Sequence, residues 1–103
     1  MTKFVAERKL LYSDKGSDKR KELIIRIGLP YQVESGMVDF PVGNGFVGCH
    51  VEVDGLEEEY SEVYGCDAIQ ALNIASDLEP FLERLQKKYD LFWFSGEPYF
   101  DDD

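Results

Sequence analysis

Residues 20–28 alternate apolar and polar positions with period two. Leu23, Ile25 and Ile27 share one parity, while Glu22, Ile24 and Arg26 take the other. That spacing, with β-branched side chains, predicts a strand. Residues 3–13 interleave Phe4, Val5, Ala6, Leu10, Leu11 and Tyr12 with charges and read as the strand before it. Between them, the polar stretch 13–19 holds Gly16 and suits a tight turn, so the pair is expected as a hairpin. Gly28-Leu29-Pro30 closes the second strand, because Pro30 has no amide for a ladder. Residues 30–45 carry Pro30, Gly36, Pro41, Gly43 and Gly45 and form a long irregular connection, with room for a short strand at 37–42.

Alternation resumes over 46–53, with Val47, Cys49, Val51 and Val53 on one parity and Gly48, His50 and Glu52 on the other. Asp54-Gly55 then signals a hairpin turn, with a return strand at 57–64. A strict two-residue loop sets Glu58 and Glu62 opposite Val51 and Val47. The sequence therefore calls for a longer loop or for acidic residues on a solvated edge. Gly65 ends the strand, and Asp67-Ala68-Ile69-Gln70 is a capping box that opens a helix. Ala71, Ile74, Ala75, Leu78, Phe81, Leu82, Leu85 and Tyr89 recur at threes and fours. Arg84, Lys87 and Lys88 gather at the far end, where cations complement the helix dipole. Pro80 is expected to kink the helix near residues 77–79 or to split it in two. Leu91-Phe92-Trp93-Phe94 follows as a last strand or a segment laid on the core. The expected fold is α+β: an antiparallel sheet of four to five strands with one long, Pro-kinked helix packed on one face.

At 103 residues the chain has the size of one domain. A chain of this length buries roughly 60–70% of its unfolded surface, enough for a core without metal or disulfide. Its formal net charge is −10, unevenly placed: eight Lys/Arg against five Asp/Glu in residues 1–35, three against sixteen in residues 36–103. A field of this sign repels phosphate backbones and speeds the approach of basic proteins, so the reading is no nucleic acid and a basic protein partner. Charge of this size also serves solubility by itself. Cys49 and Cys66 lack metal spacing and are too few for a disulfide scaffold. The N-terminus lacks the apolar core of a signal peptide, and no segment approaches ~18 consecutive apolar residues. The reading is therefore no membrane span and a cytoplasmic location.

Candidate chemistry is sparse. His50 is the one histidine, and on a strand its side chain points away from that of its neighbour Cys49, so the two cannot form a nucleophile–base pair. One histidine and two separated cysteines make no zinc template, and Glu57, Glu58 and Glu59 alternate faces on a strand. Gly43-Asn44-Gly45-Phe46-Val47-Gly48 matches a phosphate-cradle spacing but precedes a strand instead of opening a helix, so it reads as a loop. No cofactor and no enzymatic activity are expected. What remains is an acidic surface: Asp54, Glu57, Glu58, Glu59 and Glu62 around one hairpin, and Glu97 with Asp101, Asp102 and Asp103 at the other end. Aromatic anchors beside steering charges are the mixture a protein interface uses. Trp93 and Phe94 read as finishing the core, while Tyr99 and Phe100 divide between core and partner contact.

The stretch Val63-Tyr64-Gly65-Cys66-Asp67-Ala68-Ile69-Gln70-Ala71-Leu72 resembles a family of short uncharacterised bacterial proteins. That family pairs a Tyr-Gly-x-Asp-x-x-Gln-Ala-Leu helix start with an N-terminal hairpin like that at Ala6-Glu7-Arg8 and a Trp-x-x-Gly segment like that at Trp93-Phe94-Ser95-Gly96. The shared motifs imply a strand end, a cap and a helix. In size, charge and architecture the chain is also similar to bacterial immunity proteins, which bind and block a co-encoded toxin, often a basic nuclease. That likeness implies a protein-binding inhibitor acting through Asp54, Glu57, Glu58, Glu59, Glu62, Glu97, Tyr99, Phe100 and Asp101 to Asp103. The alternative is a structural domain that self-associates as a homodimer through a sheet edge.

Overall fold

A computed structural model of the chain describes residues 3–33, 46–56 and 62–100. In chain order its elements are β1 (Phe4–Asp14), β2 (Lys21–Gly28), β3 (Tyr31–Gln32), β4 (Val47–Cys49), β5 (Val51–Asp54), β6 (Val63–Gly65), α1 (Ala68–Ser76), α2 (Glu79–Leu85) and β7 (Tyr89–Trp93). The fold is α+β with antiparallel sheets, as the alternating segments and the capped helix predict.

β1 and β2 form the expected hairpin. Gly16 takes φ 77° in the turn, and the Ser17 amide donates to the Asp14 carbonyl at 2.9 Å. Leu10 faces Leu23 and Arg8 faces Ile25, and Leu10, Leu23 and Ile25 are fully buried. Near its start β1 gains an extra residue, since Phe4 pairs with Gly28 but Ala6 with Ile27. A bulge of one residue exchanges the faces of the sheet. It puts Phe4 on the solvent side, where the Arg26 guanidinium lies 5.9 Å from its ring centre.

The strands divide between two sheets instead of filling one: β5-β2-β1-β7, and β3-β4-β6. The division runs through residues 46–53. β4 pairs with β3 and β6, β5 pairs with β2, and His50 lies at the crossing, where the Gly28 amide donates to its carbonyl at 2.8 Å. Val47, Cys49 and Val51 nevertheless keep one parity and are all buried in a single cluster with Leu10, Ile25, Leu82 and Leu91. One alternating segment thus serves two sheets because both wrap the same core.

Val47, Gly48 and Cys49 pair with Gly65, Tyr64 and Val63, three residues beyond the register of a two-residue loop. The register is therefore not that of a two-residue loop, and it brings Glu62 beside His50. Most of the return strand (57–61), the strand expected at 37–42, and Gly43, Asn44 and Gly45 of the glycine motif lie outside the described residues. Gly48 sits in β4, where a Cβ would meet the Tyr31 ring at 2.5 Å.

The Asp67 carboxylate accepts from the Gln70 amide at 2.8 Å, and Gln70 reaches back to the Cys66 amide at 2.6 Å. The helical stretch 68–85 bends at Asp77, whose ψ of 83° leaves the helical region. Pro80 lies in the first turn of α2, where its missing amide costs no ladder bond. Ala71, Ala75, Leu78, Phe81, Leu82 and Leu85 are buried, but Ile74 is 41% exposed. α1 turns its alanines toward β4 and β6 and approaches so closely that a Cβ at Gly65 would lie 2.7 Å from the Ala71 nitrogen. A larger side chain finds no room on that face. Among the described residues no helix is long and apolar enough to cross a membrane.

Candidate functional site

The aromatic end of the chain is shaped by a second, tighter hairpin. Beyond β7, Trp93 N donates to Glu97 O at 2.8 Å and Tyr99 N to Leu91 O at 2.9 Å, with Gly96 at φ 101° in the turn. Residues 97–99 thus run back along β7, away from β1. The Tyr99 ring lies 4.6 Å from that of Trp93 and 4.9 Å from that of Phe100. Arg8 Nη1 donates to the Tyr99 hydroxyl at 2.9 Å, and that hydroxyl donates to Glu79 Oε1 at 2.6 Å. The Arg8 guanidinium also lies over Trp93, 5.6 Å from the ring centre.

This geometry overturns the expectation that Trp93 and Phe94 finish the core. Trp93 and Phe94 are 41% and 52% exposed, while Tyr99 and Phe100 are half-buried and pack against the core. Trp93 lies under the Arg8 guanidinium and against the Tyr99 ring, which the returning turn folds inward. Burial, and then its bond to Glu79, raise the Tyr99 phenol to about 12. Because the folded-state value lies above the ordinary one of 10.0, the associated stability is present below that value and is lost as pH rises toward 12. Phenolate absorbance is expected to show two late-titrating tyrosines, and Tyr99→Phe should remove the one near 12 together with its share of the fall in melting temperature, leaving that of Tyr31.

A second polar cluster lies across the three-stranded sheet. Glu62 accepts from the Tyr31 hydroxyl at 2.6 Å, and its other oxygen lies 2.6 Å from His50 Nδ1. Burial, and then the Glu62 carboxylate, push the Tyr31 phenol well above its usual range. Cys49 stands on the opposite face, fully buried and donating to the Gly28 carbonyl at 3.2 Å, and burial raises its thiol too. Cys66 is exposed. His50 and Glu62 are both half-exposed, and the carboxylate fixes the ring and ties β3 to the start of β6. Chemically this is a strut. Nothing local in the sequence pointed to Tyr31 as Glu62's partner; the signal lay in the hairpin register. Among the described residues no group of three or more His, Cys, Asp and Glu is placed to hold a metal.

Of the carboxylates assigned to partner contact, Asp54, Glu62 and Glu97 are described. Asp54 lies on edge strand β5, 3.4 Å from Arg26, which also meets Glu52 at 3.0 Å and Glu7 at 3.6 Å. Glu97 is exposed beyond β7, at the opposite side of the four-stranded sheet, with β2 and β1 between. Glu57, Glu58, Glu59, Asp101, Asp102 and Asp103 lie outside the described residues, as do Glu34 and Asp39. Those eight account for most of the charge surplus: the described residues hold the other 13 of 21 acidic side chains and all 11 basic ones. Comparison with family models, with curated proteins and with solved structures gives no match.

Proposed function

We propose that this chain is a protein-binding inhibitor of the toxin-immunity type that takes a basic protein partner through its acidic segments. The observation that supports it is the segregation of charge. Residues 36–103 hold sixteen Asp/Glu against three Lys/Arg, with the acidic segments Glu57 to Glu59 and Asp101 to Asp103 among them. Asp54 and Glu62 flank the first of these segments, and Phe100 precedes the second. Trp93 and Phe94, exposed near Glu97, supply apolar contact area of the kind that slows dissociation. Charge then sets the association rate, and the rings set the residence time.

Surface-captured chain and its basic partner are expected to associate about tenfold more slowly at high than at low salt. Glu57→Gln, Glu58→Gln and Glu59→Gln together should slow association at low salt, with the dissociation rate little changed. A partner whose association ignores both salt and these substitutions overturns the reading. The alternative is a self-associating domain, and it requires a homodimer whose mass by light scattering does not respond to salt.

A further inference from the structure

Within the four-stranded sheet, β1 is longer than its neighbour. β7 pairs only with Leu10 to Asp14, so among the described residues the stretch Phe4 to Lys9 has β2 on one flank and no strand on the other. The hydrogen-bond parity shows which backbone groups face that open flank. Leu91 and Trp93 bond to the returning segment, so Phe92 and Asp90 bond to Leu11 and Ser13 of β1. By period two, the amides and carbonyls of Lys9 and Glu7 point the same way, into the open flank. The other side agrees: Gly28 bonds to His50, which turns Ile25 and Leu23 toward Arg8 and Leu10.

Open edges are usually blunted by charge or cover. β5 carries Glu52 and Asp54, and β7 is covered by residues 97–99; the β1 flank is charged but has no cover among the described residues, with Val5 51% exposed and Trp93 at its end. On this acidic chain residues 3–9 carry Lys3, Arg8 and Lys9 against Glu7; Lys9 lies 3.9 Å from Glu7, and Arg8 is held by the Tyr99 hydroxyl, which leaves Lys3 and Lys9 beside the open flank. A symmetric pairing with a second copy fits poorly. A second β1 set antiparallel here carries its own β7 in line with the first β1. Any register opposing Glu7 to Lys9 then drives that β7 into residues 4–6, and the register that avoids the collision opposes Lys3 to Lys9. A single free strand meets neither obstacle.

We propose that the open flank of β1, from Phe4 to Lys9, accepts an extended acidic segment of another protein as an added strand. The backbone groups of Glu7 and Lys9 make the ladder, and Lys3 and Lys9 select the acidic occupant. This surface is distinct from the acidic segments, so its failure leaves the proposed function untouched.

The test is amide hydrogen exchange on the whole chain with two blocked hexapeptides, one alternating Val and Asp, the other Val and Lys. The acidic peptide is expected to slow exchange at Glu7 and Lys9 at least about tenfold and to leave Arg8, already bonded to β2, unchanged. Glu7→Pro removes an outward-facing donor without taking a bond from the β1–β2 ladder and should abolish the effect. Lys9→Glu, on an exposed position, should weaken it and keeps the test valid if the proline variant unfolds. Unprotected amides, equal protection by the lysine peptide, or protection arising from self-association alone each overturn the proposal.

Discussion

Replacing Phe81 by alanine is expected to destabilise the protein by about 3–5 kcal/mol, the largest effect of any single truncation in the core. Phe81 is the largest fully buried side chain and stands in the first turn of α2 with Leu78, Leu82 and Leu85 around it. Removing the ring forfeits its transfer free energy and leaves a cavity the helix cannot close. α2 is only 7 residues long and is set off from α1 by the bend at Asp77. A domain of this size has roughly 5–15 kcal/mol in hand, so the variant should sit near its folding threshold. Urea unfolding followed by circular dichroism checks it. A midpoint close to that of the parent would mean that α2 contributes little to the core.

Gly55→Ala is expected to cost about 3 kcal/mol or more, against about 1 kcal/mol for Gly16→Ala. Both glycines have positive φ, 108° and 77°, which L-residues adopt only under strain. They differ in surroundings. A Cβ at Gly16 meets nothing within 4 Å, whereas one at Gly55 collides with the Glu22 carbonyl, a backbone atom that cannot swing aside. Relief requires β5 to move off β2, and that movement also threatens the 2.6 Å bond from the Tyr12 hydroxyl to the Gly55 carbonyl. The difference between the two variants, read from parallel denaturation curves, isolates the collision from the dihedral strain. Equal losses would show that β5 yields freely at this edge.

Much of the architecture was legible from local spacing. Leu23, Ile25 and Ile27 declared a strand and its buried face, Asp67 and Gln70 a helix start, and Gly16 a turn, because each signal is complete within a few residues. The two-sheet division was not legible, since Val47, Cys49 and Val51 alternate in the same way whichever strands they pair with. The rings misled for a related reason. Exposure of Trp93 depends on Arg8, distant in sequence, and on the direction taken by residues 97–99. Of the candidate site, the acidic composition was plain from the start, but the ion pairs that occupy Arg26 with Glu7, Glu52 and Asp54 come from three strands and appear only on folding.

Periodicity, capping chemistry and net charge are properties of neighbouring residues, and for this chain they sufficed to set the α+β class, the first hairpin, the helix start and the acidic bias. Partnership is a property of distance in space. Which strands share a sheet, and which flank of β1 has no described partner strand, were decided by packing around one core, through contacts between residues that no local pattern links.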